Sequence, residues 1–551
     1  MLKNFGLFLV LIIFTKISAN AQLLEKKEIN TRADSLRGML TPLRTCYDIN
    51  YYNLDVAIDI DQRSVKGSNE FAFTATQDFS KIQFDLFANL SVDKIVYRGQ
   101  DLTFKREFNA VFVNFPKVIK KGAKDKFTVF YSGQPIVGKR PPWDGGFIFS
   151  KDKAGKPWVS VACQGLGASC WWPNKDHQSD EVDSILISIT VPKDLKEISN
   201  GRLRSVIAKD NDRTQYNWFV SNPINNYDVT FYIGDYAHWT DRFAGEKGNL
   251  SIDYWALKQD SAVARPHWDA DVKPMLSCFE KWFGPYPFYE DGYKLVQAPH
   301  LGMEHQSAVA YGNGFKKGYL GRDLSKTGLG MKFDFITVHE SGHEWFGNNI
   351  TSKDIADMWI HESFTNYSEV LFTECISDKK SGAEYARGIR KNIRNDVPII
   401  GPYNVNKEGS GDMYYKGANM IHIIRQLVND DTKLAAILRG LNKTFYHKTV
   451  TTKEVESYIA KTSGLKLDKV FDQYLRQANI PTLEYKISSN ELSYRWVSDV
   501  KGFDMPVKVS TAKDKFTLIY PTTNWKKMSV TVAEQDFTQD PDFYINLKKA
   551  D

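Results

Sequence analysis

Cysteine is scarce in this sequence: 551 residues contain five, at Cys46, Cys163, Cys170, Cys278 and Cys375. That is too few for a disulfide-held scaffold, an odd count leaves at least one unpaired within the chain, and no two are spaced like the ligands of a structural zinc knuckle. Any metal must therefore be held by other side chains. Long apolar runs are missing as well. Beyond a run of roughly ten residues near the start, nothing approaches the roughly 20 consecutive apolar residues of a membrane-spanning helix. Charge of one sign is also absent, with 72 Lys and Arg against 66 Asp and Glu and a formal net charge of +6. Such a balance lacks the basic stripe that nucleic-acid binding requires, and pairs such as Lys120-Lys121 read as solvated surface. No internal repeat or low-complexity linker is visible.

What is present is an ordinary globular composition, 42% hydrophobic and 25% charged, on a chain too long for one hydrophobic core. Two or three domains are expected. The first residues read as an export signal: Lys3 supplies the positive start, residues 5–14 the apolar run, and Ala19-Asn20-Ala21 a small-residue cleavage site before Gln22. Cleavage after Ala21 is expected, leaving a periplasmic or secreted protein with no membrane anchor. Loss of Lys3 and Lys16 with that leader lowers the formal charge by two.

From about residue 46 to 240 the hydrophobic pattern has period two. Tyr52, Leu54, Val56, Ile58 and Ile60 alternate with mostly polar residues, as do Ile185, Ile187, Ile189 and Val191, so these are strands with one buried face. Turn-like interruptions are read at Lys66-Gly67-Ser68 and Ser132-Gly133, and an all-β saddle or sandwich follows. After about residue 265 the period becomes helical. Val272, Leu276, Phe279 and Phe283 form a stripe ending at Gly284, Ile421, Ile424 and Val428 form another, and Thr451 with Glu454 makes a capping box opening a helix that stops near Gly464. Past Pro481 short alternating segments return, such as residues 516–520. The resulting expectation is a leader over 1–21, a β-domain over 22–240, a mainly helical α+β domain over 241–480 and a small C-terminal β-domain over 481–551.

The strongest chemical signal is His339-Glu340-Ser341-Gly342-His343 within residues 335–346. On a helix, positions four apart share a face. Two imidazoles so placed can hold one Zn²⁺, and Glu340 beside them can accept a proton from a metal-activated water. A catalytic zinc needs a third protein ligand. Glu362, nineteen residues beyond His343 at the start of a second expected helix, fits; the adjacent His361 points about 100° away on a helix and is read as lining. Glu369, seven residues past Glu362, returns to the same face, where it either orients a ligating histidine or is a solvated surface glutamate.

The stretch His339-Glu340-Ser341-Gly342-His343-Glu344-Trp345-Phe346-Gly347-Asn348, with its distal glutamate, resembles the gluzincin zinc aminopeptidases of the aminopeptidase N family. Leu301-Gly302-Met303-Glu304-His305 is similar to that family's Gly-Ala-Met-Glu-Asn strand, with Leu301 and His305 standing in place of its first Gly and last Asn. The resemblance implies a thermolysin-like catalytic domain, one Zn²⁺ per chain on His339, His343 and Glu362, Glu340 as general base, and a substrate strand over Gly302 and Met303. It also implies that Glu304 binds the free N-terminus of a peptide. An independent physical case supports that last role, because a carboxylate at fixed distance from the metal is what measures one residue from an α-ammonium. Tyr414-Tyr415-Lys416-Gly417-Ala418 resembles the family's Tyr-x-Lys-Gly segment, which makes Tyr414 the oxyanion donor. Gln164 resembles the N-terminal-domain residue that helps hold the substrate's amino end. Larger relatives continue into a helical domain roofing the site, so a more open cleft that admits longer peptides is expected here. The competing readings are a thermolysin-type endopeptidase, which would not need Glu304, and a catalytically silent peptide-binding relative.

Overall fold

The alternating stretch near the start becomes the centre of an eight-stranded sheet. Residues 30–550 are described in this computed structural model, so the expected leader and its cleavage site lie outside the described residues. Tyr47–Asp59 buries Tyr52, Leu54, Val56 and Ile58. It pairs antiparallel with Ser64–Ala75 and parallel with Ser184–Pro192. Beyond these partners the sheet runs to Arg202–Lys209 at one edge and Gln100–Asp101 at the other. Phe71, Phe127, Trp171 and Trp172 belong to the core against it.

Neither expected turn is a turn: Ser132-Gly133 ends the strand Lys124–Gly133, with Gly133 opposite both Val65 and Leu90. Lys66-Gly67-Ser68 lies inside Ser64–Ala75, with Gly67 opposite both Val56 and Tyr131. A Cβ on Gly67 would stand 2.2 Å from the Asp55 carbonyl oxygen. The glycine therefore serves a close strand approach, and the chain reverses just before Ser64, where Arg63 takes φ 49°.

A second sheet, of five strands, separates two cores. Its order is Tyr236–Gly245, Gly248–Leu257, Tyr293–Gln297, Val309–Tyr311 and, at the edge, Gly302–Met303. Strand alternation sends Tyr293, Leu295, Val309 and Tyr311 into the helical core. Val296, Met303 and Ala310 pack into the β-domain core on the other face. Being apolar on both faces, this sheet holds the two parts of the chain together.

Four helices frame the site. Helix α1 (Ser261–Phe283) buries Val272, Leu276, Phe279 and Phe283 and ends at Gly284 with φ 96°. It is followed by α2 (Phe335–Gly342), α3 (Trp359–Ile376) and α4 (Tyr415–Val428). A disulfide between Cys278 in α1 and Cys375 in α3 ties residues 97 apart in sequence; Cys46, Cys163 and Cys170 are free and buried. The Thr451 capping box is formed, and its helix ends in left-handed Gly464. Past Pro481 a four-stranded sheet and a hairpin follow, and their Leu483 and Trp496 join the helical core. The architecture is the class expected from the sequence: an all-β N-terminal part, a mainly helical α+β part and a small C-terminal β part. Among the described residues no helix is long and apolar enough to cross a membrane.

Candidate active site

The site is built where α2 meets α3. Asp334 caps α2 by accepting from the Thr337 amide, and its carboxylate is held in turn by His267 at 2.6 Å and Tyr311 at 2.7 Å. A Cβ on Gly342 would meet Ser368 Oγ at 2.6 Å, so glycine is what lets the end of α2 close onto α3. The regular helix is shorter than residues 335–346. It ends at Gly342, and Glu344–Asn348 forms a widened turn in which Phe346 and Gly347 leave helical geometry. His343 keeps helical angles at the junction, so the one-face relation to His339 survives, with the two rings 5.0 Å apart. The departure at Phe346 has a use, since it brings the Phe346 carbonyl to 3.0 Å from His343 Nδ1.

Each imidazole is thereby oriented from behind. His343 Nδ1 donates to Phe346, and His339 Nδ1 donates to Glu369 Oε1 at 2.8 Å. Both rings turn Nε2 forward to Glu362 Oε2, at 3.6 Å from His339 and 3.4 Å from His343. Glu369 is fully buried rather than solvated, its second oxygen accepting from Tyr385 at 2.7 Å. Burial opposes charge on His339, but Glu362 and Glu369 outweigh it and hold that imidazole well above its ordinary value. Burial likewise works against ionised Glu362, yet His343 and His339 hold its carboxyl well below the usual range.

These donors fit a tetrahedral zinc. Bonds of about 2.0–2.1 Å place neighbouring ligand atoms about 3.3 Å apart, close to the separations observed. Glu362 Oε2 is buried without a hydrogen-bond partner, an arrangement that costs stability unless a cation completes it. A second overlapping set, Glu304, Glu340 and His343, also brings its ligand atoms within 4.8 Å of one another; it shares His343, so the two describe one neighbourhood. His361 is elsewhere: its Nε2 accepts from the Ser352 amide at 2.9 Å, and its ring lies against Tyr227.

A cleft of about 540 Å³ opens in front of these groups. Gln164, Gly302, Met303, Glu304, Glu340, Tyr414 and Tyr415 all line it. Glu340 lies against the edge strand, because a Cβ on Gly302 would fall 2.5 Å from its Oε1, and burial pushes its carboxyl up to about 7. Glu304 follows that strand directly; Gln164 donates to its Oε1 from the β-domain, and Tyr227 donates to the same oxygen at 3.4 Å. Burial, more than any neighbour, raises the Glu304 carboxyl.

The adjacent tyrosines separate clearly. Burial and Glu362 raise the Tyr414 phenol well above its usual value, keeping it a donor, and its ring stacks on His339. Burial raises the Tyr415 phenol too, but the carboxylate acting on it is Glu369 rather than Glu362. Of the two departures from the family strand, Leu301 lines the cleft, whereas His305 turns back to Tyr232 at 2.6 Å. Sequence reasoning missed Tyr227 and Glu408 as neighbours of the site. Neither stands at a helical or motif spacing, so only the folded chain reveals them.

Fold and site together define a class: a helical domain with two histidines and a distal glutamate poised as metal ligands, faced by a β-domain that reaches into the same cleft. Residues 271–474 match the Peptidase family M1 domain, the stretch that holds His339, Glu340, His343, Glu362 and Tyr414. Among similar proteins are the tricorn protease-interacting factor F2 of Thermoplasma acidophilum, 19% identical over 79% of this chain and 54% of its own length, and probable aminopeptidase 1 of Saccharolobus solfataricus, 19% identical over 81% and 55%. The chain thus spans about half the length of these relatives. An M1 zinc metallopeptidase of Deinococcus radiodurans superposes with a TM-score of 0.65, at 19% identity, covering 79% of this chain and 94% of its own. A variant of that enzyme is described bound to a Tyr-Ser-Ala substrate.

Proposed function

We propose that this protein is a zinc-dependent aminopeptidase that hydrolyses the first peptide bond of peptides with a free N-terminus. The observation carrying the proposal is the position of Glu304, whose carboxylate oxygen lies within 4.8 Å of the ligand atoms of both His343 and Glu340. A carboxylate fixed there binds an α-ammonium one residue from the reacting carbonyl. The names of the relatives and the peptide complex of the Deinococcus enzyme agree with this reading.

His339, His343 and Glu362 would hold the metal, which when bound supplies Lewis-acid polarisation of the carbonyl and a lowered pKa for water. Glu369 and the Phe346 carbonyl keep both imidazoles in the tautomer that presents Nε2. Glu340 takes a proton from the attacking water and passes it to the departing amine nitrogen. Gln164, by donating to Glu304, aligns the carboxylate and leaves its own amide oxygen to accept from the ammonium. Gly302 and Met303, on an edge strand, offer backbone groups to an extended peptide. Tyr414 donates to the carbonyl oxygen as negative charge develops there, a contact worth most in the transition state. Tyr414→Phe is therefore expected to lower kcat by about 10²- to 10³-fold with little change in KM, as read from steady-state kinetics on an alanine or leucine anilide.

The chain's reading as an exported protein rests on its N-terminal pattern and is supported by the Cys278–Cys375 disulfide, a bond that persists in oxidising compartments. The deciding experiment offers matched peptides, free and N-acetylated, to the zinc-loaded protein with and without chelator. Chelator-sensitive release of single residues from the free peptide alone is expected. Internal cleavage of the acetylated peptide would instead establish an endopeptidase, and binding without turnover a silent relative.

A further inference from the structure

The cleft holds four carboxylates, from Glu304, Glu340, Glu362 and Glu408, and among the described residues no lysine or arginine lines it. On the function proposed above, three have tasks: Glu362 beside the metal, Glu340 with the proton, Glu304 with the ammonium. A divalent ion and one α-ammonium together bring one positive charge fewer than the four carboxylates bring negative charges. Glu408 is the carboxylate left over. It stands on the irregular segment before Gly411–Met413, and among the described residues no hydrogen bond or ion pair reaches it.

Its placement is specific. Glu408 Oε1 is 3.5 Å from where a Cβ on Gly165 would stand, so the side chain faces the Gln164-Gly165 turn that also supplies the partner of Glu304. Gly165 takes φ +71°, and with no side chain of its own it leaves the Glu408 carboxylate open to the cleft. Burial, with Glu362 and Glu304 nearby, pushes that carboxyl up to about 7, the mark of an anion short of a counter-charge. At the same cleft stands Trp143, 68% exposed, a ring whose face attracts a cation, guanidinium above all.

We infer that Glu408 is a specificity-determining residue: it selects peptides whose N-terminal side chain is basic, arginine foremost, that cation meeting Glu408 while the α-ammonium meets Glu304. The inference rests on the aminopeptidase reading and adds a substrate class to it. A charge-assisted hydrogen bond in a partly dry cleft discriminates by about 10- to 100-fold.

The test compares kcat/KM of the zinc-loaded full chain on arginine, lysine, leucine and alanine anilides, for the parent, Glu408→Gln, Glu408→Asp and Trp143→Ala. The parent is expected to favour arginine over leucine by about 10- to 100-fold. Glu408→Gln should collapse that ratio, Glu408→Asp should largely restore it, and Trp143→Ala should lower arginine turnover more than lysine turnover. The ratio is internal to each variant, so a loss of folded protein does not mimic the effect. A parent that cleaves leucine and arginine equally well sinks this inference and leaves the aminopeptidase standing. A Glu408→Gln loss equal on all four substrates also overturns it, by assigning Glu408 to the common backbone of the substrate. Failure to cleave any of the four removes both readings.

Discussion

Glu340→Gln is expected to retain zinc and to lose hydrolysis by about 10²- to 10⁴-fold, the scale of a missing general acid–base group. Glutamine keeps the shape of the side chain, which matters because the Glu340 carboxylate is pressed against the strand at Gly302. What it loses is the ability to take up a proton and return it. Zinc content by atomic absorption and turnover of an anilide, measured on one preparation, decide the matter. Loss of metal together with activity would favour the alternative set of Glu304, Glu340 and His343 as the metal's ligands. Retained turnover would refute the base assignment outright.

Glu362→Ala is expected to weaken zinc binding by more than about 100-fold, since even groups that only orient a ligand typically contribute 10- to 100-fold. Glu362 is the anionic member of the trio, and its Oε2 faces both Nε2 atoms without another partner. His361→Ala makes the contrast. Its Nε2 is already occupied by the Ser352 amide, so zinc affinity measured against a competing chelator should stay close to that of the parent. The reverse ranking of the two variants would move the third ligand to His361 and undo the geometry argued here.

Much of the fold was legible because burial imposes a period. Strands alternate at two and helices return near 3.6, so Tyr52 to Ile58, Val272 to Phe283 and the Thr451 capping box announced their elements. Lys66-Gly67-Ser68 misled for an identifiable reason: glycine signals turns by its backbone freedom, but at Gly67 the requirement was steric, a neighbouring strand too close for any Cβ. The break after Gly342 was not legible either. Hydrophobic periodicity continues through Phe346, whereas the backbone opens after Gly342 to offer a carbonyl to His343.

The chain's own residues determined which atoms are available: two imidazoles one helical turn apart, carboxylates at Glu340, Glu362 and Glu369 set by the same periodicity, and a strand carrying Glu304. Local geometry dictates such relations, so spacing is enough to state them. Tertiary structure alone decided how those pieces face one another. Gly342 allows α2 to close on α3, the five-stranded sheet packs on both faces and so carries the β-domain's Gln164 to Glu304, and the same closure leaves Glu408 in the cleft with no hydrogen-bond partner among the described residues. Contacts between residues tens to hundreds of positions apart follow from the packing of two cores, which no periodicity along the chain encodes.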